Sequence, residues 1–514
     1  MKLQPIIGLE IHVQLKTKSK MFCSCDNTGE NKPPNTTVCP ICMGNPGVLP
    51  VANKQAIEWS VKAAQALKCQ IPEITKFDRK HYFYPDLPKG YQISQFDQPI
   101  GIKGHITIKS DQPDAVKGKR RIDITRLHLE EDAAKNFHSQ DGNYTFVDFN
   151  RACTPLMEIV TEPDIRSAEE AKTFMQELRL IMRYLNVSDA DMEKGHLRCD
   201  ANISMAERKP GKLNYEHLNP KTEIKNINSF NAVKRAIEFE IKRQTKLFET
   251  GELPTEPSTR GWNETKGVTE QQRTKEEAHD YRYFPEPDIP PIHFYQKDSP
   301  IDVEKIKREL PELPQDKRER FVEEFELKPE EAKILTEDKN LAAYTEKVIS
   351  ELTSWLATTG EMEGTPEEIW DKYKGKISKL VSKWLINRLL FHLHNDNAKI
   401  VDCKITPENF AEFITIVYAG KVNQSTATKL LEIMYDTGKD PSNIMDEQDL
   451  TQIEDFSELE DVVKKIIKNN PDQAEQYKAG KTTVIQFLIG QAMKETKGKA
   501  NPQMLKNLLE KELK

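Results

Sequence analysis

The stretch Ile6-Ile7-Gly8-Leu9-Glu10-Ile11-His12-Val13-Gln14-Leu15 constrains this chain more than any other. Ile7, Leu9, Ile11, Val13 and Leu15 alternate with Gly8, Glu10, His12 and Gln14, which is the two-residue period of a β-strand. One face is apolar and packs. The other sets a carboxylate beside an imidazole, a pairing that on its own is ordinarily a solvated surface. Four other segments repeat the pattern. His196, Arg198, Asp200, Asn202 and Ser204 alternate with Leu197, Cys199, Ala201 and Ile203. Glu158 interrupts the apolar run from Thr154 to Thr161, His128 precedes Glu130, Glu131 and Asp132, and Glu223 stands two residues before Lys225. If these strands share a sheet, they build a polar cradle on a rigid scaffold.

Charge arithmetic sharpens that reading. Two like charges 4 Å apart repel by about 4 kcal/mol at an effective dielectric near 20, and a few such pairs consume most of a domain's ~5–15 kcal/mol of stability. Acids that converge therefore need a cation, and a divalent ion with oxygen ligands is the natural one. The alternative is that the acids sit on separate exposed edges and never meet.

The formal net charge of −7 excludes a generic nucleic-acid coat protein, so any RNA contact must be a local patch. No run approaches the ~20 apolar residues of a membrane span, and the start Met1-Lys2-Leu3-Gln4-Pro5 reads as no secretory or transit signal. A cytoplasmic location is expected, where the 8 cysteines are thiols or metal ligands. Cys23-Ser24-Cys25 and Cys39-Pro40-Ile41-Cys42, 13 residues apart, can close tetrahedrally around a structural zinc. Disulfide pairing is the competing reading.

The fold class expected is α+β. A strand-rich cradle domain (1–295) precedes an all-helical linker domain (296–405) and a small helical tail domain (406–514). Asp302 and Thr406-Pro407 read as helix starts. Residues 250–280 are polar and poor in aliphatics, and read as a long exposed excursion. In Lys76–Gln95, basic residues interleave with Tyr82, Phe83, Tyr84 and Tyr91, suiting phosphates and bases or an aminoacyl group, though an ordinary surface loop has the same composition. No phosphate-binding glycine loop, dinucleotide fingerprint or nucleophile elbow is present.

Together these motifs resemble a known family. Ile7–His12, Lys76–Lys80 with Tyr82–Asp86, Tyr91–Ile100, His128–Ala133, Thr154–Val160 with Glu162-Pro163-Asp164, and Leu197–Asn202 are similar to the GatB subunit of glutamyl/aspartyl-tRNA amidotransferases. Phe487–Gln491 and Lys499–Gln503 resemble its YqeY-like tail. The resemblance implies an ATP-dependent carbon–nitrogen ligase with glutamine as amido donor, working as a heterotrimer. An amidase partner would release ammonia, and a small third partner would brace that amidase against the GatB chain. The GatB chain itself would bind Glu-tRNA(Gln) and/or Asp-tRNA(Asn) and use ATP and Mg²⁺ to phosphorylate the side-chain carboxylate before amidation. It further implies His12, Glu131 and Glu158 as Mg²⁺ ligands, with Glu10 beside them. Glu130, Asp200 and Glu223 would serve a second ion or orientation. Lys80 and Arg79 would contact phosphate, Tyr82 and Tyr84 the terminal adenosine or aminoacyl group, and Lys481, Lys494, Lys497 and Lys499 the tRNA body. Many members lack the four cysteines, which supports a structural role for Cys23, Cys25, Cys39 and Cys42. A noncatalytic tRNA scaffold and a stand-alone carboxylate–amine ligase are the rival readings.

Overall fold

The computed structural model describes residues 3–207, 218–252, 255–274, 281–359, 362–450, 456–496 and 499–513. The chain divides into two compact units, Met1–Leu313 and Pro314–Lys514. The first is built on an eight-stranded sheet. From edge to edge it runs Val268–Thr274, Ser258–Asn263, Thr222–Ile227, Leu197–Glu207, Leu3–Gln14, Pro155–Thr161, Lys119–Glu131 and Gly101–Lys109. All five acid-bearing segments lie in this one sheet, and the opening strand is interior, antiparallel to both neighbours.

Its alternation is borne out. Ile7, Leu9, Ile11 and Val13 are buried and join one apolar cluster with Val61, Phe174 and Val233 of the helices Lys54–Ala66, Ala168–Tyr184 and Phe230–Thr250. The register then determines what the polar face holds. His12 stands opposite Arg198 on one side and Glu158 on the other, and Glu158 in turn stands opposite His128. A row His128–Glu158–His12–Arg198 thus crosses four strands, with Glu10 opposite Asp200 two residues along. A smaller sheet pairs Asp78–His81 with Tyr91–Ser94 and with Phe284–Pro285.

The reading of 250–280 as one long excursion is corrected. Ser258–Asn263 and Val268–Thr274 form a hairpin on the sheet's edge, turning at Gly267 (φ +65°). The segment is polar because one face of an edge hairpin meets solvent, while Thr259, Trp262 and Thr269 are buried. Residues 253–254 and 275–280 lie outside the described residues.

The second unit is helical. Asp302, in the first unit, and Thr406 do cap helices as expected, accepting from Lys305 N and Asn409 N. The apolar clusters divide the chain at other places than 295 and 405, however. The first takes in Ile301, Val303, Ile306, Leu310 and Leu313, the second runs from Phe321 to Leu450, and a third from Leu459 to Leu513. Among the described residues no helix is long and apolar enough to cross a membrane.

Candidate active site and cysteine centre

Five side chains meet on the polar face. Glu158 Oε2 lies 3.4 Å from His12 Nε2 and 3.3 Å from His128 Nε2. The two Glu130 oxygens lie 3.6 Å from His12 Nε2 and 3.8 Å from His128 Nε2. Glu10, His12 and Glu158 bring ligand atoms within 4.8 Å of one another, and so do His128, Glu130 and Glu158. These are two overlapping sets sharing one carboxylate, and carboxylate oxygens with imidazole nitrogens suit a divalent cation.

The charges explain how such a cluster survives in the folded chain. Burial disfavours the Glu158 carboxylate, but His128 and His12 outweigh it and hold the pKa well below the usual range. Burial likewise opposes both imidazoliums, yet Glu158 and Glu130 raise His12 above its ordinary value and His128 to about 9. Glu10 is raised, by burial first and then by Glu158. The cation demanded by the repulsion arithmetic is thus supplied by two protonated imidazoles. A metal ion entering the cluster displaces their protons.

The expected residues distribute unevenly around this centre. His12, Glu158 and Glu10 converge. Glu131 does not join them: it is on the opposite face of its strand, where its carboxylate accepts from Lys89 Nζ (2.5 Å) and Ile93 N (2.9 Å). Glu130, one residue earlier, occupies the place expected for Glu131. Asp200 and Glu223 share Lys225, whose Nζ lies 2.8 and 3.2 Å from their carboxylates at the margin of the cluster. Sequence reasoning misses His128 as a ligand, although strand alternation alone puts it on the same face as Glu130 and opposite to Glu131.

On the smaller sheet, Lys80 faces the cluster. Burial works against its ammonium, but Glu130 and then Tyr283 and Glu158 raise its pKa above the ordinary value. Its Nζ lies 4.9 Å from the centre of the Tyr281 ring, against which Tyr82 packs edge-on at 6.1 Å. Arg79 points elsewhere, paired in bidentate fashion with buried Glu286 at 2.7 and 2.9 Å and lying over Tyr91. Tyr84 is exposed. Of the tail lysines, Lys481 and Lys494 are exposed, Lys499 is paired with Asp449, and Lys497 lies outside the described residues.

Cys23, Cys25, Cys39 and Cys42 are free thiols whose four sulfurs all lie within 4.8 Å of one another. The Cys39 and Cys42 sulfurs are 3.9 Å apart, and Cys39 N donates to Cys42 Sγ at 3.1 Å. Sulfurs around a tetrahedral zinc lie about 3.8 Å apart at Zn–S bonds of about 2.3 Å, so the set fits that ion.

Comparison with known proteins agrees with this geometry. Residues 5–299 match the GatB/GatE catalytic domain, and residues 367–513 match the GatB domain. The chain is 44% identical over 515 residues to the aspartyl/glutamyl-tRNA(Asn/Gln) amidotransferase GatB-type subunit of Thermotoga maritima, covering 99% of each chain. Identity to the protein of the same name is 44% over 515 residues in Persephonella marina, covering 100% of each. It is 46% over 516 residues in a Dehalococcoides mccartyi strain, covering 99% of each. Matched end to end at this identity, the chain belongs to the GatB family of aspartyl/glutamyl-tRNA(Asn/Gln) amidotransferase subunits.

Proposed function

We propose that the polar face of the large sheet is where this amidotransferase component activates the side-chain carboxylate of Glu-tRNA(Gln) and/or Asp-tRNA(Asn). A carboxylate is a poor acyl donor. Transfer of the γ-phosphoryl group of ATP to one of its oxygens gives an acyl phosphate and ADP. Ammonia then attacks the acyl carbon, and phosphate leaves with the C–O bond electrons. A bound Mg²⁺ supplies charge neutralisation on the transferring phosphoryl group. Glu158, His12 and Glu10, with His128 and Glu130, hold that ion. Lys80 binds a phosphate oxygen from the facing sheet, and Tyr82 lines the approach of the aminoacyl end. Glu131 keeps its pair with Lys89 and supports the fold beneath. Ammonia comes from an amidase partner in a heterotrimer completed by a small third chain. The exposed tail lysines grip the tRNA body, zinc on the four cysteines anchors the Cys23–Cys42 loop, and the assembly works in the cytoplasm.

The observation that carries this reading is the sharing of Glu158 between two three-residue ligand sets. Losing an outer-shell partner of a metal costs ~10–100-fold, and a shared ligand should cost more. In the assembled complex, Glu158→Gln should lower tRNA-dependent ADP release by at least about 100-fold, while glutamine hydrolysis continues. Undiminished ADP release would overturn the metal assignment.

A further inference from the structure

Lys20 is fully buried, at 0% exposure, yet its ammonium meets no carboxylate among the described residues. Its Nζ contacts Cys42 Sγ at 3.9 Å and the Phe149 carbonyl at 3.4 Å. The residue is tied in place at both backbone ends: Lys20 N donates to Cys25 O at 3.0 Å, and Asn53 Nδ2 donates to Lys20 O at 3.1 Å. A buried ammonium without a counter-charge is costly, even after the protein relaxes around it. Four neutral thiols offer it no anion, and neither do two disulfides. Four thiolates on a divalent ion do, because the centre then carries two net negative charges and its sulfurs accept hydrogen bonds. Cys42 Sγ already accepts from Cys39 N. A second N–H donor on the same sulfur belongs to a thiolate rather than a thiol.

We infer that Lys20 is the built-in counter-charge of a four-thiolate metal centre, its ammonium directed at Cys42 Sγ. The inference rests on the zinc reading above, and the two can fail separately. The full-length protein is first assayed for bound zinc. Release to the chromogenic chelator 4-(2-pyridylazo)resorcinol is then timed for the wild type and for Lys20→Met. Zinc should leave the variant about 10- to 100-fold faster, the usual cost of losing an outer-shell partner. Thermal melts provide the second readout. Lys20→Met should raise the Tm of the metal-free form, because an unpaired buried charge is gone, and lower that of the zinc-bound form. A residue that merely fills space would lower both. If Lys20→Met does not fold, Lys20→Gln, which keeps a donor but no charge, takes the same measurements. A wild type that binds no zinc overturns both readings. A zinc-bound wild type whose variant releases metal equally slowly, with an unchanged zinc-induced Tm shift, overturns the role of Lys20 alone.

Discussion

Glu130 and Glu131 are adjacent carboxylates with separate duties, because a strand sends successive side chains to opposite faces. Glu130 meets His12 and His128, whereas Glu131 is buried against Lys89. The two should part under the same substitution. Glu131→Gln leaves the Lys89 ammonium buried without its partner, and breaking such a pair costs about 3–5 kcal/mol. Its Tm should fall sharply, with divalent-cation affinity of the surviving folded protein little changed. Glu130→Gln should weaken cation binding, read by calorimetry, with a smaller loss of Tm. The reverse pattern would assign the cluster to Glu131 after all. This distinction was half legible in the sequence. Alternation says that only one of the two shares a face with His128, but nothing in the string says which face the metal-binding partners on other strands occupy.

Strands and helices were more readable than single residues, because an apolar stripe repeats over many positions and one residue does not. The opening strand, Thr154–Thr161 and His196–Ser204 announced themselves by alternation. The hairpin from Ser258 to Thr274 did not, since an edge element can replace aliphatics with Thr and Trp and still bury one face. Close approach between elements is equally silent in a sequence. At Gly104, in the Gly101–Lys109 strand, an added Cβ would run into Cys69 Sγ and lie 2.7 Å from the Leu67 carbonyl. That carbonyl ends the helix Lys54–Ala66 and accepts from His105 N at 2.8 Å, so it cannot yield cheaply. Gly104→Ala should therefore cost about 1–3 kcal/mol, seen as a lowered Tm with cation binding retained. An unchanged Tm would mean that strand and helix can separate without loss.

At the scale of the molecule, the apolar clusters decide where the chain can be cut. The cluster from Phe321 to Leu450 crosses residue 405, and Phe410, Phe413, Ile414, Leu430 and Leu431 are all 0% exposed. Burying five such side chains contributes roughly 10 kcal/mol, as much as a domain's whole stability. A chain ending at residue 405 should accordingly aggregate, while one ending at Leu450 should stay soluble and melt cooperatively. If the tail grips the tRNA body, the longer truncation should also raise the KM for aminoacyl-tRNA well above any change in that for ATP. Equal changes would refute a dedicated grip. The sequence by itself determined the α+β class, the strands that carry acids, the four-cysteine set and the family, because each is a local pattern or a string of matching motifs. Only the tertiary structure decided that Glu158 serves two imidazoles, that Glu130 rather than Glu131 faces them, and that Lys20 lies buried against Cys42. Those facts depend on strand register and side-chain burial, and both are set by packing between segments far apart in the chain.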